Sequence, residues 1–456
     1  MAVVLSQNLL LDQYKEKLVS ADEAVKNVKS GDWVQYGEFV MQPKDLDAAL
    51  ARRINELEDV KIRTVTISML PEVVKADPDR KHFILNDWHY SGVSRALHEK
   101  GLCSYIPLTY HEGAKLYEEF CDVDVAFVPV TPMDDNGYFN IGTSNSIGSY
   151  ARAKAKKVIV EVNKSVPRCL GGNSESVHIS EVDYIVESST NPKLYNLPEA
   201  PVNETDRKIA GIVMSLMEDG ACLQLGIGAM PNVVGSLIAD SDLKDLGVHT
   251  EMLVDSFVDM HESGRVNGQR KQIDKGKMAY TFAMGTDKLY NFMDNNPVCA
   301  SYPVGYTNDP FVIGQNDNVF AINNALEVDL YGQVASEAAG PRHISGTGGQ
   351  FDFIFGAFRS KGGKGLICLS STVKLKNGEI ASRIKASFAP KTIITVPRSI
   401  NYYVITEFGV ALMKGRTTWQ RAEALINIAH PDFRDELIKE AESAKIWVKT
   451  NKQDDA

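Results

Sequence analysis

The strongest constraint on how this chain folds is that it repeats itself. "SGDWVQYGEFVMQP" at 30–43 and "DGACLQLGIGAMP" at 219–231 share one layout. Each follows a helical stretch, turns at Gly31 or Gly220, runs a short strand into Gln-x-Gly, and closes its loop with a proline. Ser20 with Glu23 three residues on is a capping box that starts the helix of the first copy. "EDVKIRT" (58–64) then matches "KDLGVHT" (244–250), and "GYFNIG" (137–142) before "KKVIVEV" matches "GQFDFIFG" (349–356) before "KGLICLS". Three matches in one order predict a duplicated α/β domain. A length of 456 residues agrees, since one core rarely organises so long a chain. The boundary falls near "NLPEAPVNETD", dividing 1–205 from 206–456.

"VDVAFVPV", "KKVIVEV", "GLICLSS" and "KTIITV" are continuous apolar runs between helical patterns. Buried parallel strands read this way, because helices cover both of their faces. The expected architecture is two similar open α/β domains of mostly parallel buried strands flanked by helices, with one active site at their interface. A hydrophobic content of 44% and a charged content of 24% suit an ordinary soluble protein. A net charge of −10 argues against nucleic acid or an anionic membrane as partner. No apolar run reaches the roughly 18 residues of a membrane span. The N-terminus lacks the basic region of a signal peptide, so a cytoplasmic protein is expected. Six scattered cysteines without a CxxC pair read as reduced core thiols, not as disulfides or a zinc site.

One polar exception breaks the symmetry. In "GVHTEMLVDS" (247–256), Val248, Thr250, Met252 and Val254 alternate as one face of a half-buried strand, and Glu251 stands where the first copy has Val65. His249, Glu251, Asp255 and Asp259 also have a spacing that metal ligands use. A helix beginning after Met252 would instead make Asp255, Asp259 and Glu262 its solvated face or N-terminal dipole partners. The second reading is preferred, and no metal is expected. By composition alone Glu251 would be a salt-bridged or capping residue.

Two glycine-rich loops surround it in sequence. "QLGIGAMPNVVGSLI" (224–238) reads as strand, loop and a helix beginning near Pro231, where Gly226 and Gly228 let the backbone approach a ligand. Its GxGxxP is an incomplete dinucleotide fingerprint, which leaves a nucleotide-binding oxidoreductase only a remote alternative. In "SEAAGPRHISGTGGQFDFIFGAF" (336–358), Gly346, Gly348 and Gly349 exclude a helix or strand interior and predict a loop that admits a ligand before a buried strand. Its GGQ, a tripeptide also found in peptide release factors, lies in the wrong flanking context for that function. "VGYTNDP" (304–310) adds Asn308 in a loop at the same edge.

"HTEMLVDS", "GIGAMPNVV", "NDNVFAINNALEVDLYGQVASE", "SGTGGQFDF" and "YVITEFGVALMKGRTTWQRAEALINIAHPDFRDEL" together resemble the acetyl-CoA hydrolase/transferase family over nearly the whole chain. Within it the likeness is to butyryl-CoA:acetate and 4-hydroxybutyrate CoA-transferases, helped by "LNDWHYSG" (85–92). The resemblance implies two CoA-transferase α/β domains, with the C-terminal one carrying the catalytic glutamate and the CoA loops. It implies that Glu251 becomes a glutamyl-CoA thioester. It also implies that Gly226, Ile227, Gly228, Ala229 and Met230 bind CoA near the thioester, and that Gly346, Gly348 and Gly349 form a second CoA contact. Lys374 is a candidate for a CoA phosphate. The N-terminal half is expected on the acyl side, with Met41, Trp88 and Asn308 as pocket candidates. His89 or Gln42 would favour a hydroxylated acid. The expected activity is ping-pong transfer of CoA from butyryl-CoA to acetate, with CoA as a transiently covalent substrate and no separate cofactor. 4-Hydroxybutyrate transfer and acetyl-CoA hydrolysis are the alternatives within the family, and a homodimer is left open.

Overall fold

The computed structural model describes residues 2–198, 201–226 and 228–446. The chain packs into two compact units, Met1–Leu197 with Ala279–Thr307, and Pro198–Met278 with Asn308–Ala456. In the first unit, β1 (Trp33–Gln35), β2 (Val60–Thr64), β3 (Phe83–Asp87), β4 (Cys103–Tyr105), β5 (Val125–Val130), β6 (Lys157–Val162) and β7 (Tyr184–Glu187) form a wholly parallel sheet. Its order is β4-β3-β2-β1-β5-β6-β7. In the second unit, β8 (Cys222–Leu225), β9 (Gly247–Leu253), β10 (Val319–Asn324), β11 (Lys364–Cys368), β12 (Tyr403–Thr406) and β13 (Gly409–Leu412) run in the order β9-β8-β10-β11-β12-β13. All of these pairs are parallel except the closing hairpin β12–β13.

The succession β2-β1-β5-β6-β7 in one unit and β9-β8-β10-β11-β12 in the other is one topology used twice, as the repeat predicted. Strand register makes the correspondence exact to the residue. Trp33, two before Gln35, faces Lys61, and Cys222, two before Gln224, faces Gly247. Four residues beyond those partners lie Val65 and Glu251. Val65 is a buried core residue.

Three expectations change. "GQFDFIFG" is not a strand: Gln350–Arg359 is a helix, whereas "GYFNIG" contributes the strand Tyr138–Asn140, so the third repeat match fails in detail. Phe353, Ile354 and Ala357, at helical spacing, point into the core and decide the matter. "KTIITV" forms no strand; Val396 makes only an isolated bridge to Val334. The linear division at 205/206 also misses an excursion, because residues 279–307 pack with the N-terminal unit. There the backbone of Phe282 bridges Ser144, Ser301 bridges Gly171, and the Ala283 amide donates to Thr143 at 2.9 Å.

Three helices of the second unit position the candidate site: α1 (Ala229–Asp240), α2 (Asp255–Glu262) and α3 (Gln350–Arg359). Phe353 and Ala357 of α3 pack with Cys222, Ile313, Val319 and Ala321, which ties the helix to β8 and β10. A fully buried aromatic of this kind contributes about 3–5 kcal/mol by truncation. No helix among the described residues is long and apolar enough to cross a membrane.

Candidate active site

β9 is not half-buried. Val248, His249, Thr250, Met252 and Leu253 are all buried, so both faces of the strand are covered, and Glu251 alone is partly open. A parallel strand covered on both faces reads this way, and its C-terminal end is also where open α/β sheets place ligands. Asp255 and Asp259 follow on α2, so the helix does begin after Met252.

The carboxylate of Glu251 is held on one side. Asn308 donates through Nδ2 to Oε2 at 2.7 Å, and the amide of Gly349 donates to the same carboxylate. Asn308 is fixed by its surroundings: it is fully buried, and Asp309 caps the following helix Pro310–Ile313 by accepting from the Phe311 amide at 2.7 Å. Gly349 is the residue before α3, and a Cβ built on it would overlap Glu251 Oε2 and Asn308 Nδ2. Only glycine therefore lets this carboxylate lie against the helix entry. Gly348, at φ +54°, makes the left-handed turn that brings the amide round. Burial pushes the Glu251 carboxyl up to about 7, and the negative charge of Asp352 adds to this, while the bonds from Asn308 and Gly349 oppose it.

The other glycine loop reaches the same edge. The Gly226 amide donates to Ile322 of β10 at 2.9 Å, and Asn323 donates to Gln224 at 2.9 Å. Gly228 precedes α1 at φ +129° and ψ 179°, a conformation essentially confined to glycine. Ala229 and Met230 form the first turn of α1, so the helix starts at Ala229 with Pro231 as its third residue, slightly earlier than expected. Ile227 lies outside the described residues. Gln350 ties the start of α3 to the end of β10: its side chain donates to the carbonyl of Asn324 and accepts from Ser336, both at 2.6 Å. Gly346 is buried in a loop organised by Glu337, whose carbonyl accepts from the amides of Ile344 and Ser345 at 2.7 and 3.2 Å.

The remaining candidates separate. Asn308, expected in an acyl pocket, instead holds Glu251. Lys374 is exposed on the hairpin Thr372–Lys374 with Ile380–Ser382. Met41, in the first unit, is buried and lines a small cavity with Glu38, Pro129 and Ile141. Trp88 is core: its indole donates to Tyr117 at 3.3 Å and lies near the Arg63 guanidinium. Two residues of the site escaped sequence reading, Gln350 and Asp352. For Asp352 the signal was a carboxylate in the apolar face of "GQFDFIFGAF".

The chain thus uses one parallel α/β topology twice and sets a glycine-cradled carboxylate at the end of one strand. Residues 4–193 match the N-terminal domain of the acetyl-CoA hydrolase/transferase family, and residues 285–441 match its C-terminal domain. Butyryl-CoA:acetate CoA-transferase of Anaerostipes caccae is 51% identical over 443 residues, covering 97% of this chain and 99% of that protein. Among solved structures, RipA from Yersinia pestis superposes with a TM-score of 0.89 at 36% identity, covering 96% of this chain and 99% of its own. The 4-hydroxybutyrate CoA-transferase of Porphyromonas gingivalis does so with a TM-score of 0.76 at 34% identity, covering 95% and 99%. The chain belongs to the acetyl-CoA hydrolase/transferase family, and it is an enzyme of the CoA-transferase class.

Proposed function

We propose that this enzyme moves CoA from butyryl-CoA, or a similar short acyl-CoA, to acetate through a covalent glutamyl-CoA thioester on Glu251. The observation that carries the proposal is the one-sided grip on that carboxylate. Oε2 accepts from Asn308, the Gly349 amide donates to the same carboxylate, and Oε1 is assigned as the attacking atom. A carboxylate raised to about 7 is a better nucleophile than an ordinary one, and it is still about half ionised at neutral pH.

Oε1 attacks the acyl carbonyl, and the tetrahedral intermediate expels CoA thiolate to leave a mixed anhydride. The thiolate then attacks Cδ of Glu251, freeing butyrate and forming Glu251–CoA. Acetate attacks the same Cδ and expels thiolate, which attacks the acetyl carbonyl. Acetyl-CoA departs, and the Glu251 carboxylate is restored. Each attack at Cδ places negative charge on Oε2, where Asn308 already points; removing one such donor typically costs ~10²–10³-fold in rate. The loop from Gly226 to Met230 and the first turn of α1 present backbone to CoA. CoA's remote contacts offset the cost of desolvating Glu251. No metal or nicotinamide takes part. Met41 contributes to the choice of acyl chain, where one methylene is worth ~1–3 kcal/mol.

Initial rates with both substrates varied test this. Parallel double-reciprocal lines are expected; intersecting lines would contradict a covalent enzyme intermediate. Thiol release that is rapid without acetate and unchanged by adding it would make the enzyme a hydrolase.

A further inference from the structure

Asp352 is a fully buried carboxylate in the first turn of α3, between Phe351 and Phe353. Burying a carboxylate is costly unless it is partnered. One of its partners is the residue that grips Glu251: Asn308 Nδ2 stands 2.7 Å from Glu251 Oε2 and 3.3 Å from Asp352 Oδ2. One amide nitrogen with two hydrogens thus faces two carboxylates, while Asn308 Oδ1 is buried with no hydrogen-bond partner among the described residues.

A carboxamide has two ends of nearly the same shape and opposite hydrogen-bonding sense. While Glu251 is ionised, its own charge draws the N–H end of Asn308 toward it. During the reaction Glu251 becomes an anhydride and then a thioester, and that charge is gone. A flipped Asn308 would then put Oδ1, an acceptor, where an oxyanion has to form. Asp352 remains an acceptor for Asn308 throughout.

We propose that Asp352 is a positioning residue, which holds the N–H end of Asn308 toward Glu251 in the states where Glu251 is neutral. The inference rests on the covalent role of Glu251 proposed above. Asp352 contributes to no bond change itself; it acts through Asn308 on attack at Cδ. Its charge has a second consequence, since it favours the protonated form of Glu251.

The test is single-turnover kinetics across pH, with loading from butyryl-CoA and discharge by acetate followed separately by intact mass. The proteins are wild type, Asp352→Asn, Asp352→Ser, Asn308→Ala and Asn308→Ala/Asp352→Asn, each with its melting temperature. Asp352→Asn should slow discharge by about 10-fold or more, a fraction of what loss of a whole oxyanion donor costs. The double variant should be no slower than Asn308→Ala alone, because both changes act on one group. The pH midpoint of loading should move down in Asp352→Asn. Asp352→Ser removes the charge but leaves a small acceptor, and it keeps the test open if the amide does not fold. Additive losses in the double variant, an unmoved midpoint and a rate loss that follows only melting temperature would overturn the inference. If wild type never acquires CoA, the covalent role of Glu251 falls, and this inference with it. Wild-type loading with an undisturbed Asp352→Asn discharge removes the inference alone.

Discussion

At the scale of single residues, the reactivity proposed for Glu251 depends on a small set of neighbours, and each has its own signature. Only the ionised carboxylate attacks, so loading should rise with pH through a midpoint near 7. Removing the Asn308 bond takes away an influence that lowers this pKa, so Asn308→Ala should move the midpoint up while slowing the reaction ~10²-fold or more. A pH–rate profile of the loading step checks both. Gly349→Ala should be at least as damaging, because the added Cβ displaces the carboxylate by about 1 Å, worth ~10²-fold; an unimpaired alanine variant would mean the carboxylate sits elsewhere during reaction. Glu251 was legible in the sequence because it broke a strand pattern that its sister copy kept. Asn308 was found for a looser reason and proved to have a different partner. Asp352 was missed, since its signal, an acid within an apolar stretch, names no partner until the burial and the helix are known.

Glu38 offers a residue-scale prediction away from the second unit. It is buried beside Ser146 and the Ile147 amide, and burial pushes its carboxyl up to about 8. The folded state then keeps the proton to higher pH than the unfolded chain does. Its contribution to stability is complete below an ordinary carboxyl pKa near 4.5 and is lost as pH rises from there to about 8. Glu38→Gln cannot ionise. Its melting temperature relative to wild type should therefore climb between pH 5 and pH 8 by roughly 2–4 °C or more. A difference that stays flat with pH would show that Glu38 does not titrate in the folded protein.

At the scale of elements, the site depends on how α3 enters the sheet. Gly349, Gln350 and Asp352 are set by the first turn of a helix whose later turn is anchored by Phe353 and Ala357. Phe353→Ala should cost about 3–5 kcal/mol of stability in denaturant melts. It should also slow loading more than a surface variant of equal stability, because the helix start carries the site. Continuous apolar runs were read correctly as parallel strands at β5, β6 and β11. The failures were "GQFDFIFG" and "KTIITV", short apolar stretches whose period does not separate strand from helix or loop. Phe351, Phe353 and Phe355 alternate as in a strand, but Phe353, Ile354 and Ala357 are the ones buried, and tertiary packing decided for the helix.

At the scale of the whole molecule, two sheets of one topology differ at the position where the proposed mechanism places its carboxylate. Registers place Val65 and Glu251 at equivalent positions, so the first unit has the topology without the carboxylate. The two-unit plan was visible from the repeats. The return of residues 279–307 to the first unit was not, because a linear reading assumes that neighbours in sequence stay in one unit. The central claim is that Glu251 carries CoA, and peptide mapping after incubation with butyryl-CoA alone tests it most directly. Intact mass should rise by one CoA, the adduct should yield to hydroxylamine or borohydride, and the mark should fall on the peptide holding Glu251 and vanish in Glu251→Ala. An adduct that persists in Glu251→Ala, with Glu337 the next carboxylate to examine, or no adduct in an active wild-type enzyme, would contradict it.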